Sequence, residues 1–124
     1  MDVSRFFSAR YEPGGRGPHV FDCYGLFWAL NRELGRNVPD HPSPEAAQER
    51  DGAIATGIET DGWQRIERPR PWCAVTFCLK HPYVTHVGMV LADQTHFIHI
   101  QRAGGVRVER LDSPVWEPKI RGFF

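Results

Sequence analysis

The spacing of hydrophobic and polar positions changes from a helical period to a strand period along the chain. Apolar residues recur at helical spacing between residues 26 and 34, namely Leu26, Phe27, Leu30 and Leu34. From Trp63 onward, apolar and polar residues alternate in short runs, which is typical of strands with one buried face. Helices followed by a meander of strands predict an α+β fold, in which N-terminal helices pack on an antiparallel β-sheet.

The first helix is predicted to begin at Cys23. Residues 11–18 contain too much glycine and proline for a helix or a central strand, so helical structure starts only after them. Asp22 suits the N-cap position, and Gly35 suits the position that ends the helix. Cys23 is therefore expected in the first turn of this helix.

A second helix is predicted from Ser43 to about Gly57. Ser43 at the N-cap, Pro44 at the first helical position and Glu45 in the first turn are three agreeing start signals. Near the amino terminus, an apolar group at helical spacing predicts a short turn that packs on the core: Val3, Phe6 and Phe7.

Five apolar runs, bounded mostly by turn-forming or charged residues, are predicted as strands: residues 72–79, 85–91, 96–101, 106–111 and 119–124. A tight turn at residues 92–95 would pair Met89 with Ile98 and Gly88 with His99. In that register the apolar side chains share one face, and His86 and His99 are diagonal neighbours on the other, polar face. Gly88, opposite His99, leaves space beside the two imidazoles.

Length and charge limit the classes of function. With 124 residues and 41% hydrophobic content, the chain is expected to form a single domain over residues 1–124. Fifteen basic residues balance fifteen acidic ones, so charge gives no reason to expect a nucleic-acid or membrane partner. The amino terminus lacks the layout of a signal peptide, which predicts synthesis and retention in the cytoplasm unless other machinery exports the protein. Three cysteines without such a signal predict free thiols.

Cys23 is the candidate nucleophile. At a helix start, unpaired N–H groups and the helix dipole favour a thiolate, and they can lower a cysteine pKa from about 8.5 into a range of roughly 3.5 to 7.5. His86 would then take the thiol proton and deliver it to a leaving amine, while His99 fixes the tautomer of His86. The backbone N–H of Cys23 is a candidate donor to the oxyanion. Such a Cys-His-His triad needs no cofactor, and none is predicted.

The motifs that surround these residues occur in a known order. They are Tyr11-x-x-Gly14-Gly15, Phe21-Asp22-Cys23-x-Gly25, His86-Val87-Gly88 and Phe97-Ile98-His99. In this order and spacing the chain resembles the NlpC-type cell-wall cysteine peptidases from about residue 11 to residue 124. The resemblance implies a compact papain-like fold and cleavage of stem peptides of bacterial peptidoglycan, typically between D-glutamate and a diamino acid.

The resemblance also implies roles for three further residues. Tyr11 falls at a tyrosine that lines the active site and aids oxyanion binding. Asp22 falls at the acid that helps to hold the free amine of the substrate's L-alanine. Tyr24 replaces the serine that usually contacts this amine, which is a departure from the family pattern at a substrate-binding position.

One branch of this family is especially similar. The Asp-Cys-aromatic-Gly-Leu run at residues 22–26 and the segment at residues 109–114 are similar to members found in phages and prophages. Such domains belong to tail-associated proteins, so the resemblance implies phage tail proteins as partners and a location on the virion or at the cell wall.

Two alternatives remain open from the sequence. Cys73-x4-Cys78-x2-His81-x4-His86 contains four possible zinc ligands, although the two cysteines would point to opposite faces of one strand. The chain is alternatively a non-catalytic tail or scaffold component that keeps the fold for its packing surface, with Cys23 as a small buried hydrophobic residue.

Overall fold

A computed structural model describes all residues from 1 to 124. The elements in chain order are β1 (Arg10–Tyr11), β2 (Val20–Phe21), α1 (Cys23–Glu33), α2 (Ala47–Thr60), β3 (Ala74–Phe77), β4 (His86–Val90), β5 (His96–Gln101), β6 (Gly105–Arg110) and β7 (Ile120–Phe123). β1 and β2 form a small parallel pair, and the other strands form a five-stranded antiparallel sheet in the order β6-β5-β4-β3-β7. The two helices lie on one face of this sheet, which confirms the predicted α+β architecture.

The first helix begins and ends where the sequence predicts. The Asp22 side chain accepts a hydrogen bond from the backbone N–H of Gly25 and so caps the first turn. Gly35 has a φ of 75°, a left-handed conformation that glycine adopts without strain, and it follows the last turn. Cys23 is therefore the first residue of α1, as expected.

The second helix begins later and ends later than predicted. Ser43 does not cap it, because the Ser43 hydroxyl accepts a hydrogen bond from Arg16 at 3.1 Å. The helix starts at Ala47 instead and continues past Gly57 to Thr60, followed by Gly62 at a φ of 76°. α2 has no buried residue, so its start is decided by contacts with distant parts of the chain rather than by local signals.

The hairpin of β4 and β5 has the predicted register. Met89 pairs with Ile98, and a Cβ atom on Gly88 would lie 3.3 Å from the Cβ of His99. The face that carries Val87, Met89 and Ile98 packs against the apolar side of α1 and is fully buried. Packing of this face against α1 fixes the register, because a slip of one residue would turn every one of these side chains to the other face of the sheet, away from α1.

The opposite face of the hairpin is buried as well, which corrects the prediction of a polar face. The segment between β6 and β7 crosses it, and Trp116 packs there against Phe77 and Phe97. His86 and His99 are consequently only 4% and 1% exposed. The sheet thus has a core on each side, and the two histidines belong to the smaller one.

Three details of the fold differ from the sequence prediction. The parallel pair β1–β2 was not predicted, because strands of two residues carry no alternation to detect. β3 is shorter than residues 72–79, since it ends at Phe77. Phe6 packs in the core as expected, whereas Phe7 is exposed. No helix has both the length and the apolar character needed to cross a membrane.

Candidate active site

Cys23, the first residue of α1, lines a cleft that β4 and β5 also border. Its side chain is only 6% exposed, and its sulfur is 4.0 Å from the carbonyl oxygen of Thr85, the residue before His86. The cleft has a volume of about 270 Å³, and we call it the cysteine cleft. Its walls are Tyr11, Cys23, Arg50, Leu79, His86, Ile100, Gln101, Arg102 and Ala103.

The predicted lowering of the Cys23 pKa is wrong for this structure. Burial raises the pKa of the thiol above its ordinary value. The Arg50 guanidinium and backbone hydrogen bonds from Val87 and Tyr24 act in the opposite direction, and the Asp22 carboxylate adds to the rise. Cys23 is therefore a thiol in the resting protein, and a reaction that uses the thiolate needs a base to remove its proton.

His86 and His99 form the hydrogen-bonded pair that the register predicts. His86 Nε2 lies 2.8 Å from His99 Nδ1. One of the two nitrogens must carry the proton. If His86 Nε2–H donates, its Nδ1 keeps a free lone pair, and no group of the protein bonds that atom. This tautomer makes His86 a base whose acceptor nitrogen is available in the cysteine cleft.

Both imidazoles are neutral at rest. Burial lowers the pKa of His86 well below its usual value, and the neighbouring His99 and Arg50 lower it further. Burial also lowers the pKa of His99 to about 4, although the Glu109 carboxylate raises it. Arg107, opposite His99 on β6, lowers it. Neutral rings are the form in which the pair can accept a proton.

Glu109 is a neighbour of this pair that the sequence did not reveal. His99 Nε2 is fully buried without a hydrogen-bond partner, and Glu109 Oε2 lies 3.6 Å from it. The Trp116 indole N–H donates to the same oxygen at 2.6 Å and holds the carboxylate in place. The pairing of His99 with Arg107 would have revealed it, because Glu109 lies two residues after Arg107 and therefore on the same face of the sheet as His99.

The lowered His99 pKa predicts how stability depends on pH. Between about pH 6.5 and about pH 4 the unfolded chain binds a proton that the folded chain does not, so stability falls as the pH falls through this window. His99→Gln should flatten this decline, and His19→Gln, a change at an exposed histidine, should leave it intact. Urea unfolding at pH 7 and pH 4.5 measures the effect, and equal declines in both variants would contradict the assignment.

Tyr11 and Asp22 occupy different surroundings. Tyr11 lines the cysteine cleft, and burial followed by the nearby Cys23 raises its phenol pKa. Asp22 is 1% exposed and bonds the backbone of Gly14 and Gly25 and the Arg16 guanidinium, so its observed role is structural. Its predicted contact with a substrate amine stays a prediction.

Tyr24 does not line the cysteine cleft. It lines a second, mostly apolar cavity of about 70 Å³ beneath α2, together with Phe27, Ile54 and Trp63. Burial, and then Asp61 and Asp40, raise the pKa of the Tyr24 phenol to about 12. We call this space the apolar cavity, and Tyr24 forms its wall next to Cys23.

The four candidate zinc ligands do not converge. No group of three or more His, Cys, Asp or Glu side chains lies close enough to share a metal ion. His86 bonds His99, and Cys73 and Cys78 are free and buried. The predicted zinc site is therefore not formed by these four residues.

Comparison with known proteins identifies the family of the chain. Residues 8–124 match the family model described as the NlpC/P60 family. The chain belongs to the NlpC/P60 family. Members of this family are generally cell-wall peptidases, so the cysteine cleft is the candidate active site of an NlpC/P60 domain. None of the curated proteins compared with the sequence matches it.

Solved structures of this family share the fold. NlpC2 from Trichomonas vaginalis is 26% identical, with a TM-score of 0.69 over 98% of this chain and 43% of its own length. An NlpC/P60 family protein from Bacillus cereus is 18% identical, with a TM-score of 0.69 over 95% of this chain and 35% of its own. A lipoprotein-like NLP/P60 family protein from Staphylococcus aureus is 24% identical, with a TM-score of 0.62 over 95% and 36%. This NlpC/P60 domain thus spans less than half of each of these chains.

Proposed function

We propose that this NlpC/P60 domain is a cysteine peptidase that hydrolyses peptide bonds in the stem peptide of bacterial peptidoglycan. The observation that carries the proposal is the 2.8 Å hydrogen bond between His86 and His99, on strands that border the same cleft as Cys23. A thiol at a helix start, a base with one free nitrogen and a second ring that orients the base are the groups that thiol hydrolysis requires.

The reaction follows from these positions. His86 Nδ1 removes the thiol proton, and the sulfur of Cys23 attacks the scissile carbonyl carbon. The resulting oxyanion lies by the first turn of α1, where the backbone N–H of Cys23 and the Tyr11 hydroxyl are the candidate donors. The His86 imidazolium then gives its proton to the leaving amine, and a thioester forms. Water, deprotonated by His86, hydrolyses the thioester and restores the thiol.

One movement is required before the first step. In the resting structure the sulfur contacts the Thr85 carbonyl and makes no hydrogen bond to either nitrogen of His86. Catalytic hydrogen bonds often tighten only when substrate is bound. The mechanism therefore has the Cys23 side chain turn toward His86 Nδ1 as the substrate enters.

The role of His99 is tested by comparing conservative and drastic changes. His99→Asn and His99→Gln retain an acceptor for the His86 proton, so they should keep more activity than His99→Ala. His96 is the matched control, because it bonds Asp93 in the turn at 2.6 Å and lies away from the pair. Rates on defined stem peptides measure the effect, with folding checked by circular dichroism. An inactive His96→Ala variant beside a normal His99→Ala variant would contradict the triad.

We also propose that the domain acts within a phage or prophage tail, which delivers it to the cell wall. The support is the similarity of residues 22–26 and 109–114 to that branch of the family. A non-catalytic tail component is the second candidate, favoured by the raised pKa of Cys23. Mass spectrometry of purified particles tests the tail assignment: peptides of this domain in intact particles support it, and their absence contradicts it.

A further inference from the structure

Arg50 projects from α2 between the two cavities and lines both of them. Its Nε donates to the carbonyl oxygen of Pro44 at 2.7 Å. The guanidinium takes part in none of the ion pairs of the protein, although it is half-buried. Its two terminal nitrogens are left without an acidic partner, and a partly desolvated cation is stabilised by a ligand of opposite charge.

The charge of Arg50 acts on the groups of the cysteine cleft. It lowers the pKa values of Tyr11, Cys23 and His86, which places it close to all three. The other charged groups nearby are already paired. Asp22 bonds Arg16, and Arg102, the second cation in the cleft wall, pairs with Glu45 at 3.3 Å. Arg50 is thus the cation of this cleft that is free to bind an anion.

α2 presents Arg50 to the cleft without packing into the core. None of its residues is buried, and polar contacts hold it instead. Asp51, the next residue, accepts a hydrogen bond from the backbone N–H of Val84 at 2.8 Å, just before β4. The bond from Arg50 Nε to Pro44 fixes the other side of the guanidinium. Its position in the wall that it shares with Cys23 is therefore set before any ligand arrives.

We propose that Arg50 binds a carboxylate of the substrate, so that the cysteine cleft takes molecules with a free carboxylate next to the bond that Cys23 attacks. A planar guanidinium with two free nitrogens matches a carboxylate with paired hydrogen bonds. This inference rests on the proposed function for the identity of the substrate as a peptide. The carboxylate is either the α-carboxylate of the residue before the scissile bond, which is free when that residue is joined to the next through its side-chain carboxyl, or the carboxyl terminus of a short peptide.

The first test needs no peptidase activity. Iodoacetate and iodoacetamide alkylate a thiol in the same way, and they differ in that only iodoacetate carries a carboxylate. We take the rate of alkylation of Cys23 by iodoacetate, divided by the rate with iodoacetamide, both measured by mass spectrometry. This ratio should fall about fivefold or more in Arg50→Gln, which is the factor that about 1 kcal/mol of charge interaction gives. Arg68→Gln, a change at an exposed arginine that lines neither cavity, is the matched control and should keep the ratio, as should Cys73 and Cys78 within each variant. An unchanged ratio in Arg50→Gln would overturn the inference.

The second test uses stem peptides in matched pairs. Each pair differs in one carboxylate, which is free in one peptide and amidated in the other, at the residue before the scissile bond or at the carboxyl terminus. In the pair whose carboxylate binds Arg50, the Arg50→Gln variant should have a KM about fivefold or more higher for the acid peptide and a nearly unchanged KM for the amidated peptide. Equal effects on acid and amide at both places would overturn the inference. If no peptide is cleaved but the alkylation ratio falls as expected, the proposed function fails and the carboxylate site stands.

Discussion

Cys23→Ala and His86→Ala should each abolish detectable hydrolysis of stem peptides. The expected loss is roughly 10⁴- to 10⁶-fold, the range in which removal of one triad member lowers turnover in a serine peptidase. Cys23 supplies the electron pair that attacks the carbonyl, and His86 moves the proton in both halves of the reaction. The rate of product formation from a defined peptide, followed by chromatography, measures both losses.

The double variant separates a joint action from two independent ones. Because the two residues act as a unit, Cys23→Ala/His86→Ala should be no slower than either single variant. Cys78→Ala is the matched control, since Cys78 is also buried and free but borders no part of the cleft. A double variant slower than both single variants, or a Cys78→Ala variant as inactive as Cys23→Ala, would contradict the mechanism.

Asp22→Ala should destabilise the domain more than any change at its surface. The Asp22 carboxylate is buried and accepts hydrogen bonds from Gly14, from Gly25 and from Arg16, the last at 2.8 Å. Its removal leaves two backbone N–H groups without their acceptor and takes from Arg16 its buried acidic partner, while Asp40 and Ser43 still accept from the guanidinium. We expect a loss of about 3 to 5 kcal/mol, the range for a buried ion pair that is broken from one side. The free energy of unfolding in urea measures this loss.

Asp40 provides the control for this prediction. It pairs with the same Arg16 guanidinium at 2.7 Å, but its side chain is 49% exposed, so Asp40→Ala should cost about 1 kcal/mol or less. Equal losses in the two variants would show that Asp22 is not the structural centre of this turn.

Asp22→Asn keeps the shape of the side chain, and a raised KM for peptides with a free N-terminal amine, but not for acylated ones, would support its predicted contact with substrate.

The sequence was informative where local signals and burial agree. Asp22 and Gly35 predicted the start and the end of the first helix, because an N-cap and a left-handed glycine each act within one turn of the helix. The register of the hairpin followed from its tight turn and from the alternation around Met89, and this placed His86 beside His99. These predictions required no information about contacts between distant parts of the chain.

The parts that could not be predicted depend on contacts between distant segments. Ser43 bonds Arg16 instead of capping α2, and Trp116 covers a face that alternation marks as polar. Burial of Cys23, which raises the pKa of its thiol, results from packing that no helix-start signal reveals. Arg50 reaches the site from α2, and its spacing along the chain gave no sign of its position. Glu109 could be placed only through the pairing of β5 with β6, whose register depends on the folded sheet.

The most direct test of the central claim is digestion of purified peptidoglycan and of defined stem peptides, with the products read by mass spectrometry. The account predicts that the wild-type protein adds one water across a peptide bond of the stem and that Cys23→Ala yields none of these products. Intact stem peptides after incubation with folded wild-type protein, or the same products from Cys23→Ala, would contradict it.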